Sequence, residues 1–134
     1  MAQKIGIGDL KKDFRFPPVI FSIDSSMRSA YLKAVEDNTN IYDENGYIPP
    51  TAVAALAMAA MGKQMDLPPG SIHVSQEYSF ANTINLGERL TSQASVKRNL
   101  ERGKIHMLTI EINIKNEKKE TVVSGETGFI LPRL

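Results

Sequence analysis

Few residues in this chain could do chemistry, and their types narrow the choice. Cysteine is absent, which removes disulfides, thiolate metal clusters and a cysteine nucleophile. His73 and His106 lie far apart, with no histidine or carboxylate at ligand spacing, so no metal site is expected. Asp37 opens the polar stretch Asp37-Asn38-Thr39-Asn40; its carboxylate is either a general base or a former of the turn that must follow the preceding helix. Tyr42 carries a phenol that is neutral at working pH and can donate a hydrogen bond to water or to a carbonyl. It is equally readable as a half-buried loop anchor. Lys97, Arg98, Arg102 and Lys104 gather around one hairpin, where they suit either phosphates or solvent. Met58, Met61 and Met65 form a stripe that suits core packing or an apolar tunnel.

The elements that must position these groups can be read from periodicity. Phe16 to Ile23 reads as a short extended segment, because Pro17-Pro18 exclude helix and β-branched residues follow. Asp24, Ser25 and Ser26 offer caps to a helix whose apolar positions Met27, Ala30, Tyr31, Ala34 and Val35 fall on one face. A loop with a turn at Asp43 to Gly46 leads to Pro49-Pro50, which pre-sets the entry of a second helix from Thr51. Between Ala52 and Met61 this helix is apolar all round, so it is expected to be covered on nearly every side. Four strands follow. Ile72, Val74, Tyr78 and Phe80 alternate with His73, Ser75, Glu77 and Ser79, which places His73 on the polar face; Leu90, Ala94 and Val96 mark the next strand. Leu108 to Ile114 and Thr121 to Leu131 supply the last two, and His106 falls on the apolar face of its strand. Gly87, before the second strand, suits a backbone of positive φ.

Taken whole, 134 residues suit a single domain spanning 1–134, with 42% hydrophobic residues, 23% charged and a formal net charge of +1. That composition lacks the single-sign field of a nucleic-acid binder. The longest apolar run is too short to cross a bilayer, and the charged amino-terminal stretch is unlike a signal peptide. No membrane association is expected, and a cytoplasmic location is. The fold class is α+β, a curved antiparallel sheet wrapped around one long central helix. Such a sheet keeps an exposed edge, and pairing edges across a two-fold axis predicts a dimer with itself or with a related chain.

The segments YLKAVEDNTNIYDENGYIPPTAVAA, LPPGSIHVSQEYSF, INLGERLTSQASV and VVSGETGFILP, in that order, resemble the MaoC-like (R)-specific hydratases and dehydratases, most of all the amino-terminal type of MaoC domain. The resemblance covers residues 14 to 132. It implies a hotdog domain and an acyl thioester of coenzyme A or acyl carrier protein as substrate, with no further cofactor. Catalytic members of the family add water reversibly to a trans-2-enoyl thioester through an Asp-x4-His pair, while a backbone N–H at the start of the central helix takes the charge growing on the thioester oxygen. Asp37 matches the aspartate. Tyr42 stands in the histidine position, and Pro50, which has no N–H, stands where glycine is common, leaving Thr51 or Ala52 as donor. His73 lies where amino-terminal-type domains often carry a histidine.

The resemblance therefore implies a 3-hydroxyacyl-thioester dehydratase or enoyl hydratase with catalytic residues Asp37 and Tyr42 and substrate-binding residues Pro50, Thr51, Ala52 and His73. Its alternative is a non-catalytic acyl-binding subunit in a heterodimer with another MaoC-like chain. A hotdog thioesterase ranks last, because the helix from 51 to 63 contains no carboxylate.

Overall fold

The computed structural model describes residues 4–133. In chain order its elements are β1 (Ile5–Gly6), β2 (Val19–Phe21), α1 (Ser25–Ala34), α2 (Ile41–Asn45), β3 (Tyr47–Ile48), α3 (Pro50–Gln64), β4 (Met65–Asp66), β5 (Ile72–Phe80), β6 (Ile84–Asn85), β7 (Leu90–Arg102), β8 (Ile105–Lys115) and β9 (Thr121–Pro132). Five strands form the main sheet in the order β2-β7-β8-β9-β5, and β5 is its long free edge. Every pairing in that sheet is antiparallel.

The expected α+β architecture is present, and α3 is its axis. Pro50 occupies the first turn, where a missing N–H costs nothing, and an alanine-rich run continues the helix. Ala52, Val53, Ala54, Ala57 and Met61 bury against the inner face of the sheet, whose rows include Val96, Leu108, Ile110, Ile112, Ile114, Val123 and Leu131. Full burial of each of the larger aliphatic side chains contributes about 1.5–3 kcal/mol. Small alanines let the helix approach closely, and strands from β7 to β9 supply the bulk.

Two expectations about the helices are corrected. The helix apolar all round is open along Thr51, Ala55, Ala59 and Gly62. A single protomer has too few layers to cover a helix on every side. In α1, the predicted apolar face is largely open: Met27, Ala30, Ala34 and Val35 are exposed and Tyr31 is half-buried, while the charged Arg28 is buried. A guanidinium that finds carbonyl and carboxylate partners outcompetes apolar side chains for that position.

The predicted caps and turns are present. Asp24 Oδ1 accepts the Met27 N–H at 2.8 Å, starting α1. The helix ends in a Schellman motif, with Glu36 at φ 58, its N–H on Lys33 O and the Asp37 N–H on Leu32 O. The loop expected before Pro50 instead contains α2, closed by Gly46 at φ 67. Gly87 adopts φ 75, as its turn position suggested.

Candidate functional site

Asp37 is the residue that ends α1, and its carboxylate is partly committed to that task. Oδ1 accepts the Thr39 N–H at 3.0 Å, and Thr39 Oγ1 in turn accepts the Ile41 N–H at 3.3 Å, leading into α2. Asp37 is half-buried. Its Oδ2 has no hydrogen-bond donor among the described residues, and Asp37 lines neither the cavity of Tyr42 nor the one beside Ala52.

Tyr42, in the first turn of α2, lines a cavity of about 340 Å³ with Tyr47, Ile48 and Pro50 on one side and Phe80 to Ile84 on the other. The loop that carries Tyr42 is held by Arg28. Its Nη1 donates to Tyr42 O at 3.2 Å and Tyr47 O at 3.0 Å, and its Nη2 meets Asp43 Oδ1 at 2.6 Å. Arg28 lies outside the apolar face read from the sequence, and nothing in its local sequence marks it for this task.

The start of α3 separates two cavities. Pro50 faces the cavity of Tyr42, whereas Ala52 lines a second, apolar one of about 170 Å³ with Ile23, Met27, Tyr31, Ala55 and Leu56. Thr51 lies between them and is exposed, with Oγ1 accepting from Tyr31 Oη at 2.7 Å. The Ala52 N–H already bonds to Pro49 O at 3.0 Å, which leaves the Thr51 N–H as the donor free at the helix start. The positive end of the α3 dipole adds to its attraction for an oxygen carrying negative charge.

His73 is elsewhere, and its expected polar-face position is corrected. A bulge between His73 and Ser75 shifts the β5–β9 register, so His73 pairs with Phe129 and Ser75 with Gly128. Phe129 pairs with buried Leu108, which sets both on the concave, helix-facing side. The His73 ring accordingly stacks on Phe129 at 5.0 Å and 29°. Seven residue-to-residue steps of strand lead from His73 to Phe80, about 23 Å of chain, so within one subunit it does not reach the cavity of Tyr42. His106 is largely buried and packs Nδ1 against Asn99 Oδ1 at 3.1 Å, the structural role its apolar-face position implied. Among the described residues no group of side chains could hold a metal ion.

The architecture has many solved counterparts. The structure superposes on (R)-hydratase PhaJ1 of Pseudomonas aeruginosa with TM-score 0.79 and 18% identity, covering 95% of this chain and 85% of that one. It matches the MaoC-like dehydratase of Rhodospirillum rubrum with TM-score 0.77 and 16% identity, over 96% and 97% of the two chains. The chain has a MaoC-like hotdog fold. A third hotdog neighbour, the HadBC (3R)-hydroxyacyl-ACP dehydratase complex of Mycobacterium tuberculosis, aligns with TM-score 0.70 and 18% identity over 91% of this chain and 97% of that one. No family model and no curated protein matches the sequence. No helix among the described residues of this hotdog chain is long and apolar enough to cross a membrane.

Proposed function

We propose that this hotdog domain is a hydratase or dehydratase of MaoC type, acting between a trans-2-enoyl thioester and its 3-hydroxyacyl counterpart. The observation that carries the reading is the sharing of one cavity by Tyr42 and Pro50 beside the free Thr51 N–H at the start of α3. The fold it shares with (R)-hydratases and a (3R)-hydroxyacyl-ACP dehydratase supports it.

In this scheme Asp37 Oδ2 accepts a proton-bearing water, and Tyr42 Oη donates or accepts a hydrogen bond to hold it. The Thr51 N–H receives the thioester oxygen as charge develops there. Water adds to the β carbon and a proton returns to the α carbon. The thioester belongs to coenzyme A or acyl carrier protein, and the acyl chain extends into the apolar space beside α3.

A second reading, an acyl-binding subunit of a heterodimer, draws on one observation: neither histidine of the subunit lines this cavity. Hydration of crotonyl-CoA, followed by loss of enoyl absorbance, tests the proposal with the purified chain and its Asp37→Asn variant. Turnover that falls about 100-fold or more in the variant supports the enzyme. Absent turnover with undiminished acyl-CoA binding supports the subunit reading instead.

A further inference from the structure

We infer that the catalytic imidazole missing from the cavity of Tyr42 is supplied across a dimer, as the partner subunit's His73; the inference rests on the hydratase reading above. It begins with the free edge. All nine residues of β5 are at least partly open to solvent, and Ile72, Val74 and Phe80 are exposed by 57%, 51% and 46%. A long edge strand with exposed apolar side chains is a template for another strand. A second copy of β5 fits it, because two concave faces continue into one another when the axis is perpendicular to the sheet.

The register follows from the sequence of β5. Opposed residues in an antiparallel pair share a face, so the axis must pass through a residue and not between two. An axis at Gln76, the midpoint of Ile72–Phe80, engages the whole strand. An axis at Glu77 sets that carboxylate against its own copy, beside Glu126 on the neighbouring strand, and is disfavoured. An axis at Ser75 pairs a shorter stretch. With the axis at Gln76, the bulge at Val74 brings the concave-side His73 of one subunit opposite Tyr78 of the other.

Tyr78 and Phe80 both face the concave side, with ring centroids 6.0 Å apart, and Phe80 lines the cavity of Tyr42. Opposed Cα atoms lie about 5 Å apart across the pair. The partner subunit's His73 is therefore placed beside Tyr78, one ring from the Phe80 that lines the cavity, on the approach that its own subunit's imidazole cannot reach. There it takes a proton from water as the oxygen bonds to the β carbon; the alkene electron pair moves toward the thioester oxygen, and the imidazolium returns a proton to the α carbon. Each subunit then contributes Asp37 and Tyr42 to one site and His73 to the other.

Complementation tests the arrangement. Homodimers of Asp37→Asn and of His73→Ala should each lose about 100-fold or more of crotonyl-CoA hydration. A hybrid dimer of one Asp37→Asn and one His73→Ala subunit, isolated through two different affinity tags, contains one intact composite site and should recover about half of wild-type activity. A hybrid as inactive as its parents, or a His73→Ala homodimer with full activity, overturns the inference. The juxtaposition is also read without turnover. In the cysteine-free chain, His73→Cys combined with Tyr78→Cys should give a covalent dimer on oxidation, since a disulfide needs Cα atoms about 4.4–6.8 Å apart. No covalent dimer overturns the composite site, whatever the activity. A covalent dimer with an inactive wild-type chain sinks the hydratase reading and leaves the shared cavity standing.

Discussion

Arg28 does more for the geometry of the candidate site than any residue within it. The residue is 6% exposed; its guanidinium bonds two carbonyls of the Tyr42 loop, while Nε stays without a partner. Truncation by Arg28→Ala leaves both carbonyls in a half-buried place without a donor and should cost about 2–4 kcal/mol of stability, measured by urea denaturation. Arg28→Lys should recover only part of this, because an ammonium lacks the planar fork that reaches Tyr42 O, Tyr47 O and Asp43 together. Asp43→Asn, at a side chain 68% exposed, should cost under about 1 kcal/mol. Equal losses for Arg28→Ala and Asp43→Asn would show that the ion pair, and not the carbonyl bonds, holds the loop. At this scale the sequence was legible where a side chain acts on its own backbone. Asp24 caps α1 and Asp37 shapes a turn for reasons local to a few residues. Arg28 was illegible because its partners lie 14 to 19 positions away.

At the scale of elements, β5 and β9 are fitted to each other by glycine. A Cβ at Gly125 would lie 2.3 Å from Glu77 O and 2.8 Å from Tyr78 Cδ1, so the Tyr78 ring occupies the space a side chain would need. Gly125→Ala should therefore push the edge strand outward and destabilise by about 1–3 kcal/mol, with faster amide hydrogen exchange along β5. If exchange in β5 is unchanged, the strand has simply accommodated the methyl group. On the convex side, Lys97 bonds Glu126 and lies 3.6 Å from Glu111. The hydrogen bond from Lys97 holds the Glu126 carboxyl below its ordinary 4.5, and the same bond raises Lys97 above 10.5. A lowered carboxyl contributes stability above its unfolded value and loses it as pH falls through the folded one; a raised amine contributes below its unfolded value and loses it as pH rises. The pair thus stabilises across the neutral range. The stability difference between wild type and Glu126→Gln should be present near neutrality, vanish on acidification well below 4.5, and shrink in high salt because both groups are partly exposed. The four main strands were readable from alternation and apolar runs, and α3 from its Pro49-Pro50 entry and its alanine-rich apolar run. The bulge at Val74 was not, since the one break in the alternation, polar Gln76 in the apolar phase, lies two residues away and reads equally as an open position; that single extra residue is what turns His73 from the convex face to the concave one.

At the scale of the molecule, one protomer is an unfinished surface. The strip Thr51, Ala55, Ala59 and Gly62 on α3 is open, and so is the edge of β5. A free sheet edge was foreseeable from a helix followed by strands that do not close into a barrel; which strand forms the edge required the topology. A self-paired β5 makes folding and association one equilibrium, so the midpoint of thermal unfolding should rise by about 2–5 °C for each tenfold increase in protein concentration. Val74→Lys places a charge in the bulge, two residues from the axis of that contact. The variant should sediment as a monomer and melt at a temperature independent of concentration, because a lysine on the edge blocks strand pairing. Should wild type also melt independently of concentration, β5 is a solvent edge and His73 belongs to no cavity. Should only Val74→Lys lose the concentration dependence, the edge that joins the subunits is the one that carries the imidazole between them.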